Sequence, residues 1–134
     1  AEPDEFLNIF SEFNIAVVAD DLAQESRQFR TDVPSGIDPL EQLAQQWQDF
    51  DGCPLALNED KPRGQMLIDM TKKYNADAVV ICMMRFCDPE EFDYPIYKPE
   101  FEAAGVRYTV LDLDIESPSL EQLRTRIQAF SEIL

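Results

Sequence analysis

The chain of 134 residues contains no histidine and only three cysteines, none of them spaced as C-x-x-C. The first absence removes imidazole-based nucleophile systems and zinc sites that need imidazole ligands. The second removes a self-contained four-thiolate metal site. An odd cysteine count also argues against a closed disulfide framework and for a reducing, cytoplasmic setting. The leading residues AEPDEFLNIF have neither the basic start nor the apolar core of a secretion signal. Basic residues are few: 11 Lys and Arg stand against 27 Asp and Glu, a net charge of −16. Neither nucleic acid nor an anionic membrane surface is an expected partner of such a chain. No apolar run approaches the ~20 residues that span a bilayer. Any chemistry is therefore left to thiolate, carboxylate, guanidinium, amine, phenol or backbone groups.

What is present is ordinary globular material, 45% hydrophobic and 28% charged, enough for one domain, residues 1–134, with a core of its own. Residues 3–13 place Phe6, Leu7, Phe10 and Phe13 at helical spacing. The apolar run 14–20 reads as a buried parallel strand, and 21–37 as a polar connection. In 38–50, Asp38 as N-cap, Pro39 at N1 and Glu41 at N3 start a helix carrying Leu40, Leu43, Ala44 and Trp47. After a loop at 51–60, residues 61–75 form a helix begun by Asp60 and Pro62. The strongest strand is 76–84. The spacing then predicts a short capped turn from Asp88, stopped by Pro95, and a helix at 99–105 ended by Gly105. A strand at 106–114 and an amphipathic helix at 119–134 follow. Alternating strands and helices imply an α/β fold, a three-layer open parallel sheet with helices on both faces, flavodoxin-like or Rossmann-like. A helix in first place implies that the first strand of the sheet lies upstream of Ala1.

Open parallel sheets bind ligands beyond the carboxyl ends of their strands. That edge should gather Asp20 and Asp21, Arg27 and Arg30, Cys87 to Glu91, Asp114 to Glu116, and Lys61 and Arg63 at the start of their helix. Cys53 is placed there less directly. Cys82, in step with Val80 and Met84, reads as a core thiol. Cys87 leaves a strand and precedes DPEE, where a helix dipole favours thiolate and the acids oppose it. On the residues alone it is either a half-buried structural thiol or a ligand or nucleophile. Cys53, in DGCPL, reads as part of a turn. Arg27 and Arg30 have the chemistry to grip a carboxylate or phosphate, but ion pairing within so acidic a domain explains them as well. LRTR (123–126) reads as a solvated helix face. DPEEFD needs no hard cation, since a capped helix start accounts for it.

The segments SRQFRTDVP, LAQQWQDFDGC, KPRGQMLIDM, MMRFCDPEEFDYPIYK and LEQLRTRIQAFSEIL, in this order, resemble the C-terminal domain of a 2-hydroxyacyl-CoA dehydratase subunit. The family includes (R)-2-hydroxyglutaryl-CoA dehydratase and is related to benzoyl-CoA reductase, and FCDPEEFDYP is the most specific part of the likeness. The resemblance implies a two-domain subunit that holds a [4Fe–4S] cluster through three cysteines. Cys87 would be one metal ligand, and the others would come from the N-terminal domain of the same subunit. The fourth iron position would stay open. It further implies a paralogous partner subunit, an ATP-dependent iron–sulfur activator that delivers one electron, and an acyl-CoA substrate. The electron turns the thioester into a ketyl radical anion that expels the 2-hydroxyl, giving 2-enoyl-CoA, with no need for histidine. Alternatives are a benzoyl-CoA reductase-type subunit, or an α/β binding or scaffold domain without a cluster. Arg85 stands where the family usually has Lys, and DLDIES stands where it often has E-x-D-Q-Q. No ligand role passes to Cys53.

Overall fold

The computed structural model describes residues 4–36, 38–55, 59–114 and 119–134. The element order is α1 (Asp4–Glu12), α2 (Ser26–Phe29), α3 (Pro39–Gln48), α4 (Arg63–Lys73), β1 (Val79–Met84), α5 (Asp88–Ala104), β2 (Tyr108–Leu113) and α6 (Leu120–Ser131). β1 and β2 run parallel in a register from Val79 opposite Tyr108 to Met84 opposite Leu113. A parallel pair needs a crossover, and α5 supplies it.

Alternation along the strands divides the interior into two layers. One face of the sheet packs Leu111 and Leu113, with Val80, Cys82 and Met84, against Phe6, Ile9 and Phe10 of α1 and Leu123 and Ile127 of α6. The other face packs Ile81 and Met83, with Val79, Tyr108 and Val110, against Ile68 of α4 and Tyr97 and Phe101 of α5. The fold is thus α/β with helices on both faces of a small parallel sheet, as the sequence implied. Cys82 sits in the first layer, as a core thiol should. No helix among the described residues is long and apolar enough to cross a membrane.

Four expectations need correction. Residues 14–20 pair with no strand among the described residues, and Val17 and Val18 are exposed, so two strands are seen where three were expected. An apolar run fixes neither a ladder partner nor a depth of burial. On α1 it is Ile9, not Leu7, that joins Phe6 and Phe10 inside. α3 forms as expected, with Asp38 Oδ1 accepting from the Leu40 amide at 2.9 Å, but it buries none of its residues, and Trp47 is 73% exposed. Finally, Pro95 does not stop a helix: α5 runs 17 residues through both Pro95 and Pro99 to a left-handed Gly105. Each proline removes one backbone donor from the helix. The helix persists because Asp93, Tyr97 and Phe101 recur on one buried face, and that burial outweighs the two missing bonds.

α4 approaches α5 closely at Gly64, where an added Cβ would lie 1.7 Å from Glu100 Oε2 and 2.7 Å from Tyr97 Cβ. The carboxylate can swing aside, but Tyr97 Cβ is fixed to the helix backbone. Gly64→Ala is expected to lower the urea midpoint. Overpacking costs about 1–3 kcal/mol and outweighs a helix-propensity gain of ~1 kcal/mol. An unchanged or higher midpoint would show that the helices can separate without penalty. Tyr97 also carries a pH signature. Burial pushes its phenol up to about 12, with Glu90 and Asp93 adding and Arg63 opposing. A raised folded-state value gives stability that is complete below the ordinary phenol value near 10 and is lost as pH climbs through about 12. Between pH 9 and 12 the chain should lose about 2–3 kcal/mol that Tyr97→Phe keeps, read by urea denaturation at each pH.

Candidate functional site

The carboxyl ends of β1 and β2 carry the site. β1 ends at Met84; Arg85 and Phe86 follow, and Cys87 is the N-cap residue of α5. Phe86 takes the left-handed conformation at φ 65°, unusual for an aromatic residue, and its side chain is 93% exposed. The turn is closed by the Cys87 amide donating to Met84 O at 3.1 Å, and the helix by the Glu91 amide donating to Cys87 O at 3.0 Å. The helix start expected at Asp88 is therefore shifted one residue back, and the capping box expected there does not form. The half-buried Cys87 thiol makes no cap hydrogen bond, so the local fold does not use it up.

Glu90, at N3 of this helix, does not reach back to the cap. It accepts from Arg27 Nη2 at 3.1 Å and pairs with Arg63 Nη2 at 2.9 Å. The same two guanidiniums hold Asp21 Oδ2, at 3.1 Å and 3.0 Å, and Arg30 pairs with the other oxygen of Asp21. Arg27 and Arg63 are each only 7% exposed. Burial works against the charge of Arg27, yet Asp21 and Glu90 more than compensate and raise its pKa. Asp20, one residue before, spends its carboxylate on the amides of Leu22 and Ser26. One turn further along α5, the buried Asp93 takes Lys61 at 3.0 Å.

Three segments distant in sequence are thus tied at one edge: the 20–30 loop, the start of α4 and the start of α5. Asp21, Arg27, Arg30, Lys61, Arg63 and Glu90 lie where the sequence placed them. The arginines pair within the domain and do not present a free grip for an anion. The loop bearing Cys53 reaches the same edge, since Arg30 Nη2 donates to Asp51 O at 2.9 Å and Gly52 abuts Met66 and Arg30. Cys53 itself is half-buried. On the β2 side, a polar cleft of about 210 Å³ is bordered by Arg85, Asp112, Asp114 and Ser119. Arg85 there pairs with Asp114 at 3.1 Å. Glu116 lies outside the described residues. The arginines of LRTR are solvated but not idle: Arg124 bridges α6 to Glu12 of α1 at 2.8 Å and holds the Glu12 carboxyl below its usual range.

What sequence reasoning missed is the pairing of Glu90 with Arg27 and Arg63. Glu90 read only as one acid in a capped start. The available signal was its spacing with Asp93, Tyr97 and Phe101, which puts it on the buried face of one long helix. That face is legible only if Pro95 is not taken as a stop.

Among the described residues no group of three Cys, Asp or Glu side chains gathers to hold a metal ion. Cys87 stands at the carboxyl end of β1, half-buried, with its sulfur not engaged in capping the helix.

Comparison with known proteins matches the chain over its full length. The profile described as 2-hydroxyglutaryl-CoA dehydratase, D-component, matches residues 1–134. The chain is 53% identical over 134 residues to the lactoyl-CoA dehydratase subunit beta of Anaerotignum propionicum, covering 99% of this chain and 36% of that protein. It is 43% identical to the (R)-phenyllactyl-CoA dehydratase beta subunit of Clostridium sporogenes, covering 100% of this chain and 36% of the relative. It is 30% identical over 132 residues to the (R)-2-hydroxyglutaryl-CoA dehydratase subunit beta of Acidaminococcus fermentans, covering 96% and 35%. The chain spans about a third of the length of the relatives it matches. With the strand-end Cys87 and its FCDPEE turn in place, the chain belongs to the 2-hydroxyglutaryl-CoA dehydratase D-component family.

Proposed function

We propose that this chain is the C-terminal, cluster-binding domain of a dehydratase beta subunit, and that the parent complex removes water from an (R)-2-hydroxyacyl-CoA to give a 2-enoyl-CoA. The observation that carries the reading is Cys87: a thiol released at the carboxyl end of β1, unused as a helix cap, in a chain whose relatives are named as dehydratase beta subunits. Those names favour elimination over the ring reduction of a benzoyl-CoA reductase-type subunit. Cys87 supplies one ligand of a [4Fe–4S] cluster, and the remaining thiolates come from the N-terminal domain of the same subunit. When bound, such a cluster would supply low-potential one-electron chemistry and Lewis acidity.

The residues of this chain contribute position. The Cys87 amide is held by Met84 O and its carbonyl by the Glu91 amide, so the backbone on both sides of the sulfur is fixed to β1 and to α5. A ligand held this way keeps its place while charge moves. The α/β sheet edge around it is where an acyl-CoA thioester would approach. The working complex includes a paralogous subunit and an ATP-dependent iron–sulfur activator, and it operates in the cytoplasm.

Cys87→Ala in the parent subunit, prepared anaerobically, tests this. Wild type should carry about four irons per subunit with matching acid-labile sulfide. The variant should lose most of both, together with dehydration of (R)-2-hydroxyacyl-CoA substrates, while its circular dichroism stays unchanged. Full iron and full activity in the variant would sink the ligand assignment. Turnover of benzoyl-CoA with no dehydration of any 2-hydroxyacyl-CoA would sink the reaction class.

A further inference from the structure

Alone among the described helices, α3 buries none of its residues. It is nevertheless amphipathic. Leu40, Leu43 and Trp47 recur at helical spacing, each more than half exposed, and the Trp47 ring lies 5.5 Å from that of Phe50. Gln46 Nε2 of α3 donates to Thr31 O at 2.8 Å, which sets the helix beside a segment whose Phe29 and Val33 are also exposed. Single exposed apolar residues are ordinary on a protein surface, whereas a run of five with an aromatic at each end marks a contact surface.

The charge around this stripe has one sign. Residues 31–60 contain seven acids and no Lys or Arg, and all seven acids are exposed. The bases that bound the segment, Arg30 and Lys61, are engaged with Asp21 and Asp93. A second copy of this chain seated on the stripe would set acids against acids, which disfavours self-association. A domain tethered within the same subunit has a high effective concentration and needs no charge to find its place. An apolar stripe with an acid-only surround suits a separate chain of complementary charge, because long-range attraction speeds encounter and selects the partner.

We propose that the exposed face of α3, with Phe29 and Val33 beside it, docks the second, different subunit of the complex through an apolar patch rimmed by Lys and Arg. The inference rests on the reading of this chain as part of a beta subunit, and on no role of Cys87.

The parent beta subunit and its partner subunit, purified separately and recombined, give the test. Wild-type association should slow as salt is raised. Leu43→Ala combined with Trp47→Ala should weaken binding roughly 30-fold or more, with circular dichroism unchanged because neither side chain is in the core. Glu41→Lys reverses one exposed rim charge and should slow association and flatten its salt dependence. Tyr74→Ala, at the far end of α4, removes an exposed aromatic elsewhere and should bind as wild type. Amides of 39–48 should exchange rapidly in the free subunit and slowly in the complex. Binding equal to wild type in both α3 variants overturns the proposal. So does a helix already protected in the free subunit, which would put the rest of that subunit on this face. Self-association abolished by the double variant would put a second copy there and overturns it too. Should the double variant fail to fold, Glu41→Lys and the exchange pattern decide. The two readings fail separately: a wild-type subunit that binds no partner subunit removes the beta-subunit reading as well, whereas a stable complex indifferent to the α3 variants refutes only the docking face.

Discussion

Asp21 and Glu90 are two half-buried carboxylates that share the buried guanidiniums of Arg27 and Arg63, one from α2 and one from α4. No backbone ladder joins those segments, so these contacts, with the loop of Gly52 lying on Met66 and Arg30, fix the carboxyl edge. Charges taken out of water require partners of good geometry, and this arrangement of the three segments provides them. The start of α5, and with it Cys87, inherits its position from that requirement.

Packing beneath these ion pairs follows the same axis. Down the buried face of α5 the residues change from charged to apolar: Glu90, Asp93, Tyr97, Phe101. The facing side of α4 runs in parallel through Arg63, Gly64 and Ile68. Gly64 lets the two helices meet closely just below the ion pairs, and the Tyr97 ring fills the space between the guanidinium of Arg63, 5.9 Å away, and the core residue Phe101. A helix anchored along its whole length in this way tolerates Pro95 and Pro99. The prolines remove hydrogen bonds but not the contacts that hold the helix down.

The chemical reading depends on what the local fold leaves unused. Helix starts commonly engage Ser, Thr, Asp or Asn as caps. α5 has a cysteine at that position, and its sulfur takes no part in capping. The proposed ligand role would use that sulfur, in a chain of the dehydratase D-component family. No group of metal-ligating side chains gathers among the described residues, so the function proposed here belongs to an assembly in which this domain would contribute one thiolate.

The residue pattern by itself determined the fold class, the positions of β1, β2, α1, α3, α4 and α6, the parallel sense implied by their alternation, and the candidate thiol Cys87 at a strand end. These are local or nearest-neighbour properties: periodicity, Asp38 with Pro39, Gly105 after α5, a β-rich run bounded by polar residues. Tertiary structure decided the rest. It made one helix of 88–104, where two prolines argued for two pieces. It left 14–20 without a strand partner and kept the apolar stripe of α3 outside the core. It also determined that Arg27, Arg30 and Arg63 pair with Asp21 and Glu90. The physical reason is common to all four. Whether a proline is tolerated, an apolar run is paired or a charge is neutralised depends on groups many residues away, and a local pattern holds no information about which of them will be adjacent.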